Sequence, residues 1–231
     1  MDWPACLNTR DLGGLPTPGG VTRAGVLVRS DCITNLTPEG HQAMQAYGVS
    51  TVIDLRSPSE RAADANSVSR AKGVEYLHRP LVDDANMRRL GEATNMFGRY
   101  LMMLDKDQHA FRNVFDTMAT AEGGVLFHCF AGKDRTGLIA AMLLSLAGVP
   151  RDHIALDFTE TDKQLARKYE EWLAGTDPEK RDQMREDLHC PPDRILGVLD
   201  YLDSKWGGVP SYLEAAGMTP ANIDRVSAKL T

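Results

Sequence analysis

Apolar positions in this chain follow two rhythms, one suited to strands and one to helices. Val26-Leu27-Val28-Arg29, the stretch from Ser50 to Leu55, and Val74-Glu75-Tyr76-Leu77-His78 read as short strands. Val125 to His128 is apolar almost throughout, the pattern of a strand covered on both faces at the centre of a sheet. Helices are marked by their ends. Thr37-Pro38 supplies an N-cap followed by proline, which opens a helix to about Tyr47, and Gly48 closes it. Ser57-Pro58-Ser59-Glu60 matches a capping box for the next helix. Two helices are expected over about 87–104 and 107–121; in the second, Phe111, Val114, Phe115 and Met118 share one face and belong to the core.

Leu138 to Ala147 is apolar on every side, so it reads as an interior helix packed behind the 125–128 strand, stopped by Gly148 and Pro150. Further helices are expected over about 151–174, 191–206, 209–216 and 220–229, the last opened by Thr219-Pro220. Residues 1–25 are rich in glycine and proline and read as loop with short extended pieces. The charged span between Gly175 and Pro192 reads as a solvated turn or helix face, with a mobile lid as the alternative. Strands alternating with helices predict an α/β fold with extra helices after its central loop.

Composition narrows the function classes. A chain of 231 residues suits one domain, 1–231. A net charge of −6 argues against a nucleic-acid partner, so any anionic ligand must be held by a local group of cations. The four cysteines, at 6, 32, 129 and 190, form no C-x-x-C pair or zinc spacing, and the six histidines form no ligand pair, so neither a metal nor another cofactor is expected. The longest apolar run, Leu138 to Leu144, is far shorter than the roughly 20 residues that span a bilayer. With no apolar leader after Met1-Asp2-Trp3-Pro4, the expectation is a cytoplasmic protein, export without a cleaved signal being the alternative. The oligomeric state is not legible.

The chemistry concentrates in one turn, where the 125–128 strand gives way to the interior helix. Cys129 and Arg135 stand five residues apart on Phe130, Ala131, Gly132, Lys133 and Asp134, with Thr136 following. Such a loop can bring its backbone N–H groups, a guanidinium and a helix N-terminus to one point, which favours a dianion such as phosphate. The same positive groups favour the thiolate form of a cysteine at its base. Cys129 then reads as a nucleophile and Arg135 as a bidentate clamp that lysine could not reproduce. Departure of an alkoxide or phenoxide requires a general acid, for which the sequence offers Asp134 within the loop and Asp83 after the 74–78 strand. Asp134 is preferred, Asp83 stays open, and Asp84 could replace it. Asp54 and Arg56 could flank the site or simply pair with each other. For Arg10 the plain reading is a turn stapled by an Arg–Asp contact.

His128-Cys129-x-x-Gly132-Lys133-Asp134-Arg135-Thr136-Gly137 resembles the signature of cysteine-dependent phosphatases, and more narrowly the bacterial tyrosine and lipid phosphatases of the mycobacterial secreted type. The likeness extends to Asn8-Thr9-Arg10-Asp11-Leu12-Gly13-Gly14, to Val52 through Glu60, and to Ser211-Tyr212-Leu213. It implies a protein-tyrosine-phosphatase-like three-layer fold, with a central, mostly parallel sheet flanked by helices. It implies a phosphocysteine intermediate, loop orientation by His128, a Thr136 hydroxyl that assists thiolate departure, and an Arg10 segment packed near the phosphate loop. Asp83 aligns in order with the acid that such enzymes carry on a movable loop. Lys133 adds a likeness to phosphoinositide phosphatases of the tumour-suppressor type. The expected substrates are therefore phosphorylated proteins, on tyrosine and also serine or threonine, and phosphoinositides.

Other readings fit the residues less well. A nucleotide P-loop fails because no Ser or Thr follows Gly132-Lys133 and Phe127 stands where the first glycine belongs. A rhodanese-like sulfurtransferase would have a shorter loop. A catalytically silent binder of phosphorylated ligands would have little reason to keep Cys129, Arg135 and the candidate acids together.

Overall fold

The computed structural model describes residues 1, 3–63 and 72–231. Three short extended pieces open the chain, β1 (Arg10–Asp11), β2 (Pro16–Thr17) and β3 (Gly20–Val21), followed by β4 (Leu27–Ser30). Next come α1 (Pro38–Ala46), β5 (Val49–Asp54), α2 (Pro58–Ala63) and β6 (Glu75–His78). The caps read from sequence are made. Thr37 accepts from the Gly40 N–H at 3.2 Å. In α2, Ser57 N–H donates to Glu60 Oε2 at 2.8 Å while Glu60 N–H donates to Ser57 Oγ at 3.3 Å, a reciprocal capping box.

After β6 the chain is mostly helical: α3 (Asp84–Leu90), α4 (Met96–Lys106), α5 (Gln108–Thr120), then β7 (Gly124–His128) and α6 (Asp134–Leu146). The remaining helices are α7 (Arg151–Gln164), α8 (Ala166–Gly175), α9 (Arg181–Leu188), α10 (Pro192–Trp206), α11 (Val209–Ala215) and α12 (Pro220–Leu230).

Two expected helices are each divided. The one placed at about 87–104 stops at Gly91, and Asn95 starts α4 afresh by accepting from the Gly98 N–H at 2.8 Å, a local side-chain bond that outcompetes helix continuation. The one placed at 151–174 breaks at Leu165, whose backbone leaves the helical region (φ −101°, ψ 4°) while its side chain stays buried. The charged span does hold a short helix, α9, whose only buried residue is Leu188.

The main sheet has the order β1-β4-β7-β5-β6, with β1 antiparallel and the other four parallel. Successive residues face opposite sides. Leu27, Ile53, Val125 and Phe127 enter the larger core beneath α4–α6 and α10–α12, whereas Val28, Val52 and Leu126 enter a smaller one with Met44 of α1. This is the α/β architecture that the alternation predicted, with a central, mostly parallel sheet between helical layers. α6 is buried from Arg135 to Leu144, which its all-round apolar face required. Among the described residues no helix is long and apolar enough to cross a membrane.

Parallel strands put their C-terminal ends on one edge, where α/β sheets present ligand sites. The last residues of four strands, Ser30, His128, Asp54 and His78, stand in register across that edge. The Cys129–Arg135 loop leaves the sheet at this row.

Candidate active site

Four successive carbonyls of the loop are bonded from outside. Cys129 O accepts from His128 Nδ1–H at 3.1 Å and Phe130 O from the Cys32 N–H at 3.0 Å. Ala131 O and Gly132 O accept from Asn8 Nδ2 at 3.0 and 3.1 Å, and Gly132 O also from Arg29 Nη2 at 2.7 Å. The N–H groups of Phe130 to Lys133 donate to no protein acceptor among the described residues. Those of Asp134 and Arg135 are at the open start of α6 and have no intrahelical partner. Turning the carbonyls out thus leaves a run of amides for an anion. Gly132 makes the turn possible: φ is +65°, and a Cβ there would come within 2.6 Å of Ser30 and Asp31 backbone.

The braces on this loop are themselves fixed. Arg29 is wholly buried and ion-paired to Asp157 of α7. Burial, then the nearby Arg10, lowers its guanidinium to about 10, so it stays charged at neutral pH. Arg10 donates to Asn8 Oδ1 at 2.5 Å and to Asp157 Oδ1 at 2.7 Å. The stapling contact expected in this segment therefore exists, but its acid is Asp157, not the adjacent Asp11. Asp11 instead accepts from the Gly13 and Gly25 N–H groups, both at 2.6 Å.

Burial alone would raise the Asp157 carboxyl, but Arg29 and Arg10 outweigh it and hold it below the usual range. A carboxylate depressed in the folded state adds stability above its unfolded value, about pH 4, that is lost as pH falls through the folded one. Asp157→Asn is expected to destabilise the protein by about 3–5 kcal/mol at neutral pH, since it leaves buried guanidinium charge unpaired. The gap to wild type should narrow in urea unfolding repeated below about pH 4.

Cys129 lies at the base of the loop with 2% of its surface exposed. Arg135 is gripped along one edge by Glu60, Nη1 to Oε2 at 2.5 Å and Nη2 to Oε1 at 2.8 Å. Burial opposes its charge, but the Glu60 hydrogen bonds and the Cys129, Glu60 and Asp134 charges prevail, so the guanidinium is held firmly protonated. Glu60 Oε2 also accepts from the Ser57 N–H, so one oxygen joins the capping box to Arg135. Nε of Arg135 meets no protein acceptor among the described residues, which leaves that edge open to a ligand.

The other candidates are placed as follows. His128 has its proton on Nδ1 toward Cys129 O, and burial above all keeps the ring neutral; Nε2 is 4.0 Å from Asp54 Oδ1, too far for a hydrogen bond. Asp54 and Arg56 pair with each other at 2.8 Å. Thr136 Oγ1 is buried without a protein partner, so it does not cap α6. Asp134 Oδ1 accepts from Tyr100. Asp83 is the exposed N-cap of α3, accepting from the Asn86 N–H at 2.7 Å, and Asp84 accepts from Ser59 Oγ at 2.7 Å. Lys133 Nζ donates to Asp187 O at 2.5 Å at the end of α9 and lies 3.2 Å from Asp134 Oδ1. Phe130 is 54% exposed and stacks on Trp172 of α8, with ring centroids 6.1 Å apart and planes 25° apart.

Sequence reasoning missed Glu60, Arg29, Asp157 and Tyr100 as parts of the site. Glu60 did carry a signal, but as a capping partner only.

A cysteine at the base of a loop with free amides, a braced arginine and a carboxyl beside it is an arrangement suited to a phosphate-like anion. The chain belongs to the tyrosine phosphatase family, whose model matches residues 1–231, and it is a protein-tyrosine phosphatase. It is similar to a tyrosine-protein phosphatase of Nostoc commune, 30% identical over 90% of this chain and 74% of that one. The triple specificity protein phosphatase PtpB of Mycobacterium tuberculosis is 27% identical over 98% of this chain and 97% of its own. Among solved structures, TpbA of P. aeruginosa is 22% identical with a TM-score of 0.40, covering 70% of this chain and 85% of that one.

Proposed function

We propose that residues 1–231 form one phosphatase domain that hydrolyses phosphotyrosine, and more slowly other phosphomonoesters, through a phosphocysteine on Cys129. The observation that supports this most is the set of outward-bonded carbonyls, because a loop so held offers its amides to the equatorial oxygens of a phosphoryl group. The thiolate attacks phosphorus, the P–O bond to the leaving oxygen breaks, and water then releases phosphate from sulfur. Arg135 grips two oxygens through its open edge. Asp134 is the general acid in this reading, since it starts the helix at the loop and is part exposed, whereas Asp83 is engaged in capping α3. Thr136 Oγ1, free of a capping bond, is available to the departing sulfur.

Aryl substrates are favoured by the Phe130–Trp172 pair, which gives a phenyl ring an aromatic wall. The relative named for triple specificity supports wider reach, to phosphoserine, phosphothreonine and phosphoinositides. For a phosphoinositide the second phosphate would need Lys133, whose Nζ is engaged by the end of α9. Phosphate release should therefore be fastest from phosphotyrosyl peptide, slower from phosphoseryl peptide and slowest from a phosphoinositide. Trp172→Ala should raise KM for the aryl ester by about fivefold, in line with the loss of one aromatic contact, and leave the phosphoseryl KM little changed. Turnover of phosphotyrosine alone would remove the wider specificity, and equal KM changes would remove the aromatic wall.

A further inference from the structure

One oxygen of the Asp134 carboxylate carries both a hydrogen bond and an ion pair. Tyr100 Oη donates to Oδ1 at 2.5 Å, and Lys133 Nζ lies 3.2 Å from that same oxygen. Oδ2 receives no hydrogen bond from the described residues, and the side chain is 28% exposed.

Both donors are rigidly held. Tyr100 is fully buried in α4, edge-on to Phe158 at 6.5 Å and 88°. Burial first, and Asp134 second, push its phenol well above the ordinary value, so it remains an O–H donor throughout the working pH range. Lys133 is tied to Asp187 O at 2.5 Å and Leu188 O at 3.4 Å.

We infer that Tyr100 is a positioning residue for proton delivery: with Lys133 it occupies Oδ1 of Asp134 and so assigns the transferable proton to Oδ2. A proton on Oδ1 would face the Tyr100 O–H that already donates to that oxygen and the Lys133 ammonium 3.2 Å away, whereas Oδ2 receives no hydrogen bond from the described residues. In the transfer, the Oδ2–H bond breaks as the P–O bond to the leaving group breaks. The proton goes to the leaving oxygen, which keeps the P–O electron pair, and Asp134 becomes a carboxylate. The negative charge that develops is met by donors already in place, so their bonds are stronger in the transition state than before it.

This inference rests on Asp134 as the general acid, and the experiment separates the two claims. Tyr100→Phe keeps the ring and removes the O–H. Rates would be measured across pH on phenyl phosphate, a poor leaving group, and 4-nitrophenyl phosphate, a good one. The variant should lose about tenfold in kcat on phenyl phosphate, the size of one hydrogen bond to a charged group, and under about twofold on the nitrophenyl ester. In an Asp134→Asn background the added Tyr100→Phe change should have no further effect. Lys133→Met, which removes the cation paired with Oδ1, should show the same dependence on leaving group and serves if Tyr100→Phe does not fold. Equal losses on both esters would mean that Tyr100 only packs. If Asp134→Asn itself slowed both esters alike, Asp134 would not be the acid and the inference would fall with it.

Discussion

Cys129→Ser is expected to lower phosphate release from a phosphotyrosyl peptide by about 10^4-fold or more, with binding of the peptide retained. A serine hydroxyl keeps the size of the side chain but is hardly ionised near neutral pH, and nothing at the base of the loop can act as its base. His128 is not placed to do so: its Nδ1 proton is committed to Cys129 O, and its other nitrogen, Nε2, lies 4.0 Å from Asp54 Oδ1. The cradle, by contrast, does not depend on the sulfur, since its carbonyls are held by Asn8, Arg29, Cys32 and His128. Calorimetric titration with phosphotyrosyl peptide beside steady-state kinetics checks both halves. Unchanged turnover would refute nucleophilic catalysis, and lost binding would show that the sulfur shapes the cradle.

Arg135→Lys is expected to cost about 10^2–10^3-fold in kcat/KM, the scale of losing an oxyanion donor that acts in the transition state. The guanidinium works along two edges: Glu60 takes Nη1 and Nη2, and the edge bearing Nε faces the ligand. An ammonium is a point charge that must choose between the two. It would stay with Glu60, whose carboxyl is held low chiefly by Arg135 in spite of burial. Stability should change little, because that pairing survives. Comparison of kinetics and thermal unfolding for the variant tests this, and a rate near wild type would mean that the open edge does not touch the phosphoryl group.

What the sequence made legible was local. Thr37 and Thr219 announced helix starts through bonds three residues away, and the apolar 125–128 strand announced its central place because it must be covered on both faces. The proposed nucleophile and its arginine are legible as candidates because only five residues of one turn separate them. Contacts across the fold were not. Glu60 read as a local cap, and nothing in the chain order says that its outer oxygens meet an arginine from a distant loop. Lys133 read as a second phosphate-binding cation because it sits in the loop, yet its side chain follows carbonyls brought in by α9, more than fifty residues later. The sequence around Arg10 suggests an Arg–Asp staple without saying which acid, and the fold supplies Asp157 of α7. The divided helices have the same root: a single Asn95 side-chain bond or a buried Leu165 decides a break that periodicity averages over.

The account stands most directly on a covalent bond between sulfur and phosphorus. Wild-type protein mixed with a radiolabelled phosphotyrosyl peptide and quenched by denaturant within one turnover should carry up to one label per chain, on the peptide that contains Cys129, and Cys129→Ser should carry none. Full turnover with no trapped label, or a label on a residue other than Cys129, would contradict it.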